Sequence, residues 1–164
     1  MNIKIEKIPY EKKLILNNLM ELYNYDFSEF EDEDVNDFGL YGYQYIDHYW
    51  TEEGRYPYII QVDDKIAGFV LIRTFGINEC GIKQYSITEF FVMKKYRKKS
   101  VGKKVAMEIF DTLKGEWIIS QIEENQPAQR FWRKVINEYT EGNYKEIRED
   151  GSCGPKQIFK SKEI

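Results

Sequence analysis

The sequence predicts one mixed α/β domain over residues 1–164, with a mostly antiparallel central sheet flanked by helices. Short alternating apolar runs typical of strands are interspersed with segments whose apolar residues recur at helical spacing. A strong hairpin pattern lies near the middle of the chain and predicts two antiparallel neighbours. The length is that of one domain with one hydrophobic core.

The N-terminal part predicts a strand, a helix and a loop region. Asn2 to Lys7 alternates as a strand does, and the apolar residues between Leu14 and Tyr23 share one helical face. Asp26 to Asp37 then carries seven acids and no base, and the aromatic stretch GLYGYQYIDHYW follows it. We interpret both segments together as a mobile, functional loop region.

The middle of the chain predicts three strands. Tyr58 to Val62 and Ile66 to Arg73 form the hairpin, and Asp63-Asp64-Lys65 is its turn. Tyr85 to Met93 is the third strand and runs into the basic segment KKYRKK.

The second half predicts two helices and three strands. A helix begins after Ser100, whose side chain is predicted to cap its free amides, and Gly115 ends it. A second helix begins near Pro127, a residue tolerated in a first turn. The predicted strands are Trp117 to Ile122, Asn143 to Arg148 and Gln157 to Ser161.

Composition excludes several classes of protein. The opening residues lack the apolar region of a signal sequence, and nowhere do about 18 apolar residues run together, so we expect a cytoplasmic protein without a membrane partner. His48 is the single histidine, and Cys80 and Cys153 lie far apart, which argues against a histidine triad and against a metal site. The net charge of −4 argues against a nucleic-acid partner.

The most informative segment joins the third strand of the middle part to the helix after it. Arg97 to Gly102 reads RKKSVG, and a tight turn there leaves several backbone N–H groups pointing one way at a helix start. Such amides and the helix dipole favour a pyrophosphate, and Gly102 permits its close approach. A solvated basic turn is the alternative interpretation.

These residues resemble the signature of the GNAT superfamily of N-acetyltransferases, which is Arg or Gln, two residues, Gly, one residue, then Gly or Ala. Arg97 and Gly102 match, whereas Ser100 replaces the first glycine. Downstream, Asn125 to Trp132 resembles the second signature of that superfamily, an asparagine followed three residues later by alanine and then by an aromatic pair. The elements occur in family order over about Ile66 to Ile136, which predicts a GNAT-like fold.

The resemblance implies an acetyl-CoA-dependent N-acetyltransferase that acts on a primary amine by direct transfer in a ternary complex. It implies that acetyl-CoA contacts the end of a strand, the loop after it and the second helix. The implied cofactor-binding residues are Phe91, Val92, Met93, Arg97, Lys98, Lys99, Ser100, Val101, Gly102, Lys103, Asn125, Ala128 and Phe131.

Glu89 is the candidate general base. The resemblance places a glutamate base on this strand, and Glu89 lies among apolar residues there. Desolvation by Phe90 and Phe91 is expected to raise its pKa toward neutrality, as a carboxylate base requires. A structural acid, paired or exposed, is the alternative.

Two further roles follow from the resemblance. The backbone N–H of Val92 is the candidate donor to the thioester oxyanion. Trp132 occupies the position at which many relatives carry a tyrosine acid, and an indole does not supply a proton. No general acid is therefore assigned, and Tyr139 and Tyr144 are left as alternatives.

The acceptor is hypothesised to be a cationic amine, either a small molecule or a protein. The resemblance places the loop after the first helix against the acceptor, and acids between Asp26 and Asp37 attract a cation. A solvated acidic loop is the alternative for this segment. A catalytically silent acyl-CoA-binding or regulatory domain is the alternative for the whole chain, and either a monomer or a homodimer is compatible with it.

Overall fold

The fold is taken from a computed structural model, which describes residues 1–163. Residues 1–163 form seven strands and four α-helices. In chain order they are β1 (Ile3–Lys7), α1 (Lys13–Phe27), α2 (His48–Thr51), β2 (Arg55–Val62), β3 (Lys65–Ile77), β4 (Lys83–Val92), α3 (Val101–Thr112), β5 (Glu116–Ser120), α4 (Gln126–Thr140), β6 (Lys145–Ile147) and β7 (Lys156–Lys160). Single 3₁₀ turns precede α1 and follow β4.

The strands form one mixed sheet in the order β1-β2-β3-β4-β5-β7-β6. The pairs β1–β2, β5–β7 and β6–β7 are antiparallel. β4 and β5 are parallel, with Gln84 opposite Glu116 and Tyr85 opposite Trp117. The predicted fold class, a mostly antiparallel mixed sheet with helices, is confirmed.

The hairpin between β2 and β3 has a two-residue turn. Asp63 and Asp64 both have positive φ, at 49° and 60°, as the turn that matches strand twist requires. Lys65 is already the first residue of β3, so its predicted place in the turn is wrong. β3 continues beyond the predicted end at Arg73 to Ile77.

The chain divides into two compact units, of which the first comprises Met1–Leu71 and Glu89–Tyr96. Its core is formed by the inner face of α1 and the side chains of the strands. The buried apolar residues are Ile8, Leu16, Leu19, Met20, Ile46, Tyr49, Ile59, Phe69, Leu71 and Phe91. Burying each of the larger side chains contributes about 1.5–3 kcal/mol, which fixes α1 in this unit.

The second unit comprises Ile72–Thr88 and the chain from Arg97 onward. Its core is aromatic and centred on Phe110, which α3 contributes and which is fully buried. The ring of Phe110 lies 5.0 Å from Trp117, 5.2 Å from Tyr139 and 4.9 Å from Phe159. These edge-to-face contacts hold α3 and α4 in the second unit.

No helix among residues 1–163 combines the length and the apolar character that crossing a membrane requires.

Candidate active site

Glu89 is a carboxylate on a strand whose neighbours are apolar. It lies on β4 two residues before Phe91, so both side chains project from the same face of the strand. Phe91 is buried in the core of the first unit, and Glu89 is partly buried. The strand thus places one ionisable group beside a hydrophobic core.

Two tyrosine hydroxyls hold this carboxylate. The Tyr43 hydroxyl donates to Oε1 of Glu89 at 3.3 Å. The Tyr23 hydroxyl, from α1, also hydrogen-bonds Glu89. Both donors come from elements that are distant from β4 in sequence, so the site exists only in the folded unit.

The segment that carries Tyr43 is fastened to α1 by Glu21. One carboxylate oxygen of Glu21 accepts from the backbone N–H of Tyr41 at 2.8 Å, and the other accepts from Gly42 at 2.7 Å. The Asn24 side chain donates to the Gly42 carbonyl at 3.1 Å. This part of the predicted mobile loop is therefore bound to the helix, and the next helix, α2, was not predicted at all.

Burial raises the pKa of Glu89 from 4.5 to about 7. The hydrogen bonds from Tyr23 and Tyr43 act in the opposite direction, because they stabilise the charged form. The nearby negative charge of Glu31 raises the pKa of Glu89 further. A carboxyl group with this pKa exchanges its proton near neutral pH, which suits a general base.

The end of β4 carries the other residues that were predicted near the thioester. Phe91 packs edge-on against Tyr23 at 5.8 Å and lies 5.7 Å from Phe69. Val92 is buried, and Met93 is partly buried with its N–H donating to the Ala67 carbonyl at 2.8 Å. The roles of Phe91, Val92 and Met93 toward acetyl-CoA stay predictions.

The loop before α3 has an uncommon backbone. Lys98 and Ser100 have φ values of 59° and 60°, a left-handed conformation that costs a non-glycine residue about 1–2 kcal/mol. Ser100 precedes the helix as predicted, but its side chain makes no capping hydrogen bond, so the predicted cap is wrong. A capping side chain reaches the first amides from an extended backbone, and Ser100 does not have one.

The predicted phosphate-binding residues of this loop have different surroundings. Val101 is buried, whereas Lys98 and Lys99 are exposed. The ammonium group of Lys103 lies 2.8 Å from a carboxylate oxygen of Glu138 on α4. The charge of Lys103 is thus partly neutralised within the protein.

The second predicted signature forms the start of α4. Asn125 caps this helix, and its side-chain oxygen accepts from the backbone N–H of Ala128 at 3.1 Å. A spacing of three residues is that of a capping side chain and the amide it satisfies, which gives this pair a structural role. Phe131 follows, and its ring packs edge-on against Trp132 with the ring centroids 4.9 Å apart. The predicted contacts of Asn125, Ala128 and Phe131 with acetyl-CoA stay predictions.

Trp132 and Tyr139, two of the three residues considered in connection with a general acid, are packed within the second unit. Trp132 is buried and packs 6.4 Å from Phe110, as a core residue does. The Tyr139 hydroxyl donates to Asp111 at 2.8 Å and accepts from the N–H of Lys162 at 3.1 Å. Burial raises the pKa of Tyr139 to about 12. The structure thus gives Tyr139 a structural partner rather than the features of an acid.

Comparison with known protein families matches residues 16–136 to the acetyltransferase (GNAT) family. The match spans well over half of the chain, and the protein belongs to that family. Membership assigns the general activity, acetyl transfer from acetyl-CoA. The comparison with curated protein sequences found no match.

Solved structures share the fold at low sequence identity. An acetyltransferase from Thermus thermophilus superposes with a TM-score of 0.72 at 10% identity, over 98% of this chain and 97% of that chain. The PaiA N-acetyltransferase from Thermoplasma acidophilum, in complex with coenzyme A, has a TM-score of 0.64 at 14% identity, over 98% and 99%. An aminoglycoside acetyltransferase from an uncultured soil metagenomic sample, in complex with sisomicin, has a TM-score of 0.61 at 17% identity. The superposition covers 81% of this chain and 86% of that chain.

The hydrogen-bond partners of Glu89 were missed in the sequence. Tyr23 carried a usable signal, because it falls on the buried face of a predicted helix and a buried hydroxyl needs a polar partner. Tyr43 carried none, since it lies in an aromatic stretch whose structure the sequence did not define.

Proposed function

We propose that this protein transfers the acetyl group of acetyl-CoA directly to a primary amine, with Glu89 as the general base. The observation that carries the proposal is the partly buried carboxyl group of Glu89, whose pKa is raised to about 7. Family membership supplies the acetyl donor, and this carboxyl supplies the proton acceptor that amine chemistry needs.

The protonation state of the amine explains why a base is needed. An amine with a reference pKa of ~10.4 is mostly an ammonium ion at pH 7 and has no lone pair with which to attack. Glu89 removes one proton, directly or through water, and the nitrogen then forms a bond to the thioester carbon. The carbon–sulfur bond breaks, and the second proton lost by nitrogen balances the one that the thiolate takes up. Because a thiol has a reference pKa of ~8.5, the thiolate leaves without a protein acid.

We further propose that the loop from Arg97 to Gly102 binds the pyrophosphate of CoA through its backbone. The left-handed residues Lys98 and Ser100 fold the loop tightly before the first turn of α3. Free amides at a helix start attract anions, and basic side chains add to that attraction.

The pyrophosphate assignment predicts that Gly102→Leu weakens CoA binding by about tenfold or more, because a side chain at this position obstructs the close approach of the phosphates. Isothermal titration calorimetry on the folded variant measures this effect. Thr112→Leu, at the exposed end of the same helix, is the control and should bind CoA as the wild type does. An unchanged affinity of Gly102→Leu for CoA would contradict the assignment of the pyrophosphate to this loop.

A panel of amines, assayed by release of free CoA, tests the activity. We expect turnover with a primary amine and intersecting initial-rate lines, as direct transfer in a ternary complex requires. Parallel lines would instead indicate an acyl-enzyme. If the protein binds CoA tightly but no amine leads to the release of free CoA from acetyl-CoA, the protein is a silent acyl-CoA-binding domain.

Within this panel we expect cationic amines to be the best acceptors. Glu31, within the acidic segment, is close enough to Glu89 for its charge to raise the pKa of Glu89. An acceptor that carries a second positive charge is attracted by this segment while Glu89 deprotonates its amine.

Four amide substitutions test the acceptor class: Glu31→Gln, Asp32→Asn, Glu33→Gln and Asp34→Asn combined. The KM for a polycationic acceptor should rise on the order of tenfold at low salt, and the KM for acetyl-CoA should stay nearly constant. The effect should shrink at 1 M salt, where the Debye length is ~3 Å. A matched control removes four exposed acids elsewhere, at Glu79, Glu108, Glu124 and Glu141. If the KM for the acceptor rises equally in both variants, the acidic segment acts only through the net charge of the protein and does not bind the acceptor.

A further inference from the structure

Tyr23 and Tyr43 both hydrogen-bond the carboxyl group of Glu89. Resting on the proposed function, we propose that these two tyrosines are positioning residues, whose hydroxyls orient the Glu89 carboxylate toward the acceptor and favour its charged form. Neither tyrosine transfers a proton in this role. Each donates a hydrogen bond that offsets part of the cost of burying a charge.

Tyr43 is held in place for this role. Glu21 binds the two backbone amides that directly precede it, at Tyr41 and Gly42, and so ties the segment to α1. A carboxylate that accepts two amide hydrogen bonds fixes the backbone more firmly than a single contact does. The Tyr43 hydroxyl also interacts with Tyr49 of α2. The hydroxyl therefore reaches Glu89 from a fixed backbone.

Tyr23 is fixed by packing. Its ring meets the rings of Phe69 and Phe91 edge-on at 5.7 and 5.8 Å, and Phe27 lies 5.5 Å away on the next turn of α1. A phenol surrounded by aromatic rings requires a polar partner for its hydroxyl, and Glu89 is that partner.

Some of the groups that face Glu89 raise its pKa, and others lower it. Burial and the charge of Glu31, from the acidic segment, raise the pKa of Glu89. Tyr23 from α1 and Tyr43 from the segment before α2 lower it. Burial and the Glu89 charge raise the pKa of both tyrosines well above the usual value, so they remain donors throughout the neutral range. The tyrosines thus keep the carboxylate available at a pH where burial alone would favour the acid.

The test is Tyr43→Phe and Tyr23→Phe, each of which deletes one hydroxyl and keeps the ring. Carbon-13 NMR of the labelled glutamate carboxyl groups, with Glu89 assigned by its absence in Glu89→Gln, follows the titration without any substrate. We expect the Glu89 midpoint to move to higher pH in both variants. The acid limb of the pH profile of kcat/KM should move with it, with roughly a tenfold loss at pH 6 and a change within about twofold at pH 9.

Tyr10→Phe is the matched control, because Tyr10 is an exposed tyrosine of the same unit whose ring packs against Trp50. An unchanged Glu89 titration in both Tyr43→Phe and Tyr23→Phe would overturn the proposal whatever the activity. If the Glu89 titration moves while the acid limb stays in place, the tyrosines hold the carboxylate as proposed and Glu89 is not the base. The second outcome isolates a failure of the proposed function.

Discussion

Glu89→Gln should slow acetyl transfer at pH 7 by a factor on the order of 10²–10⁴, the usual contribution of a general base. Glutamine has nearly the same size and retains an oxygen that accepts from Tyr23 or Tyr43, but it does not take up a proton. Steady-state kcat, measured from pH 6 to pH 10 with one primary amine, gives the ratio of the two enzymes. The ratio should approach one toward pH 10, because the free amine is then abundant.

The control for this experiment is the stability of the same variant. The pKa of Glu89 is about 7 when folded and has an ordinary value of 4.5, so the folded chain binds one more proton than the unfolded chain between these values. Wild-type stability contributed by this proton is present below pH 4.5 and is lost as the pH rises through about 7. Gln does not titrate at position 89, so the Glu89→Gln variant does not lose this stability as the pH rises.

The variant should therefore melt higher than the wild type at pH 8, by roughly 5–10 °C, and close to it at pH 4.5. This shift corresponds to a difference on the order of 2–3 kcal/mol, which allows for the partial exposure of the side chain. A slow variant that is more stable is not slow through unfolding. Matching pH–rate profiles and matching melting curves would together identify Glu89 as a structural acid.

The order of the elements was predictable because it depends on local patterns. β4 has an apolar run and α3 repeats its apolar residues at helical spacing, so their type did not depend on tertiary context. The burial of Glu89, which raises its pKa, was predictable as well, because Phe90 and Phe91 follow it on the strand. Its role as the general base stays a proposal. The boundaries were less accurate, and β3 ends four residues beyond its predicted end at Arg73.

The surroundings of the site were not predictable, because they join residues that are distant in sequence. Tyr43 and Glu89 are 46 residues apart, and no local pattern pairs them. Lys103 was assigned to acetyl-CoA through the family resemblance, and its ion-pair partner Glu138, 35 residues away, could not be foreseen. The cap of Ser100 failed for a different reason. Capping preferences assume an extended backbone, and the left-handed φ of this serine was not visible in its identity.

Gly68→Ala should destabilise the protein by about 3 kcal/mol or more, because β3 and the end of β4 approach too closely for a side chain. A Cβ atom at Gly68 would lie 1.9 Å from the carbonyl oxygen of Phe91 and 3.1 Å from the Cα atom of Val92. Both contacts are with backbone, which does not rotate out of the way. The strand must therefore shift, together with Glu89 three residues before Val92.

Thermal unfolding measures this effect, and Gly39→Ala provides its control. At Gly39 an added Cβ meets no atom within 4 Å, but φ is +73°, so alanine there is strained without a clash. Gly68 shows the converse, a clash without left-handed strain. We expect a loss of about 1–2 kcal/mol for Gly39→Ala and a melting temperature lowered by roughly 6–12 °C for Gly68→Ala. If Gly68→Ala melts no lower than Gly39→Ala, the backbone at Phe91 yields to a methyl group, and the close approach of β3 does not fix the strand end that carries Glu89.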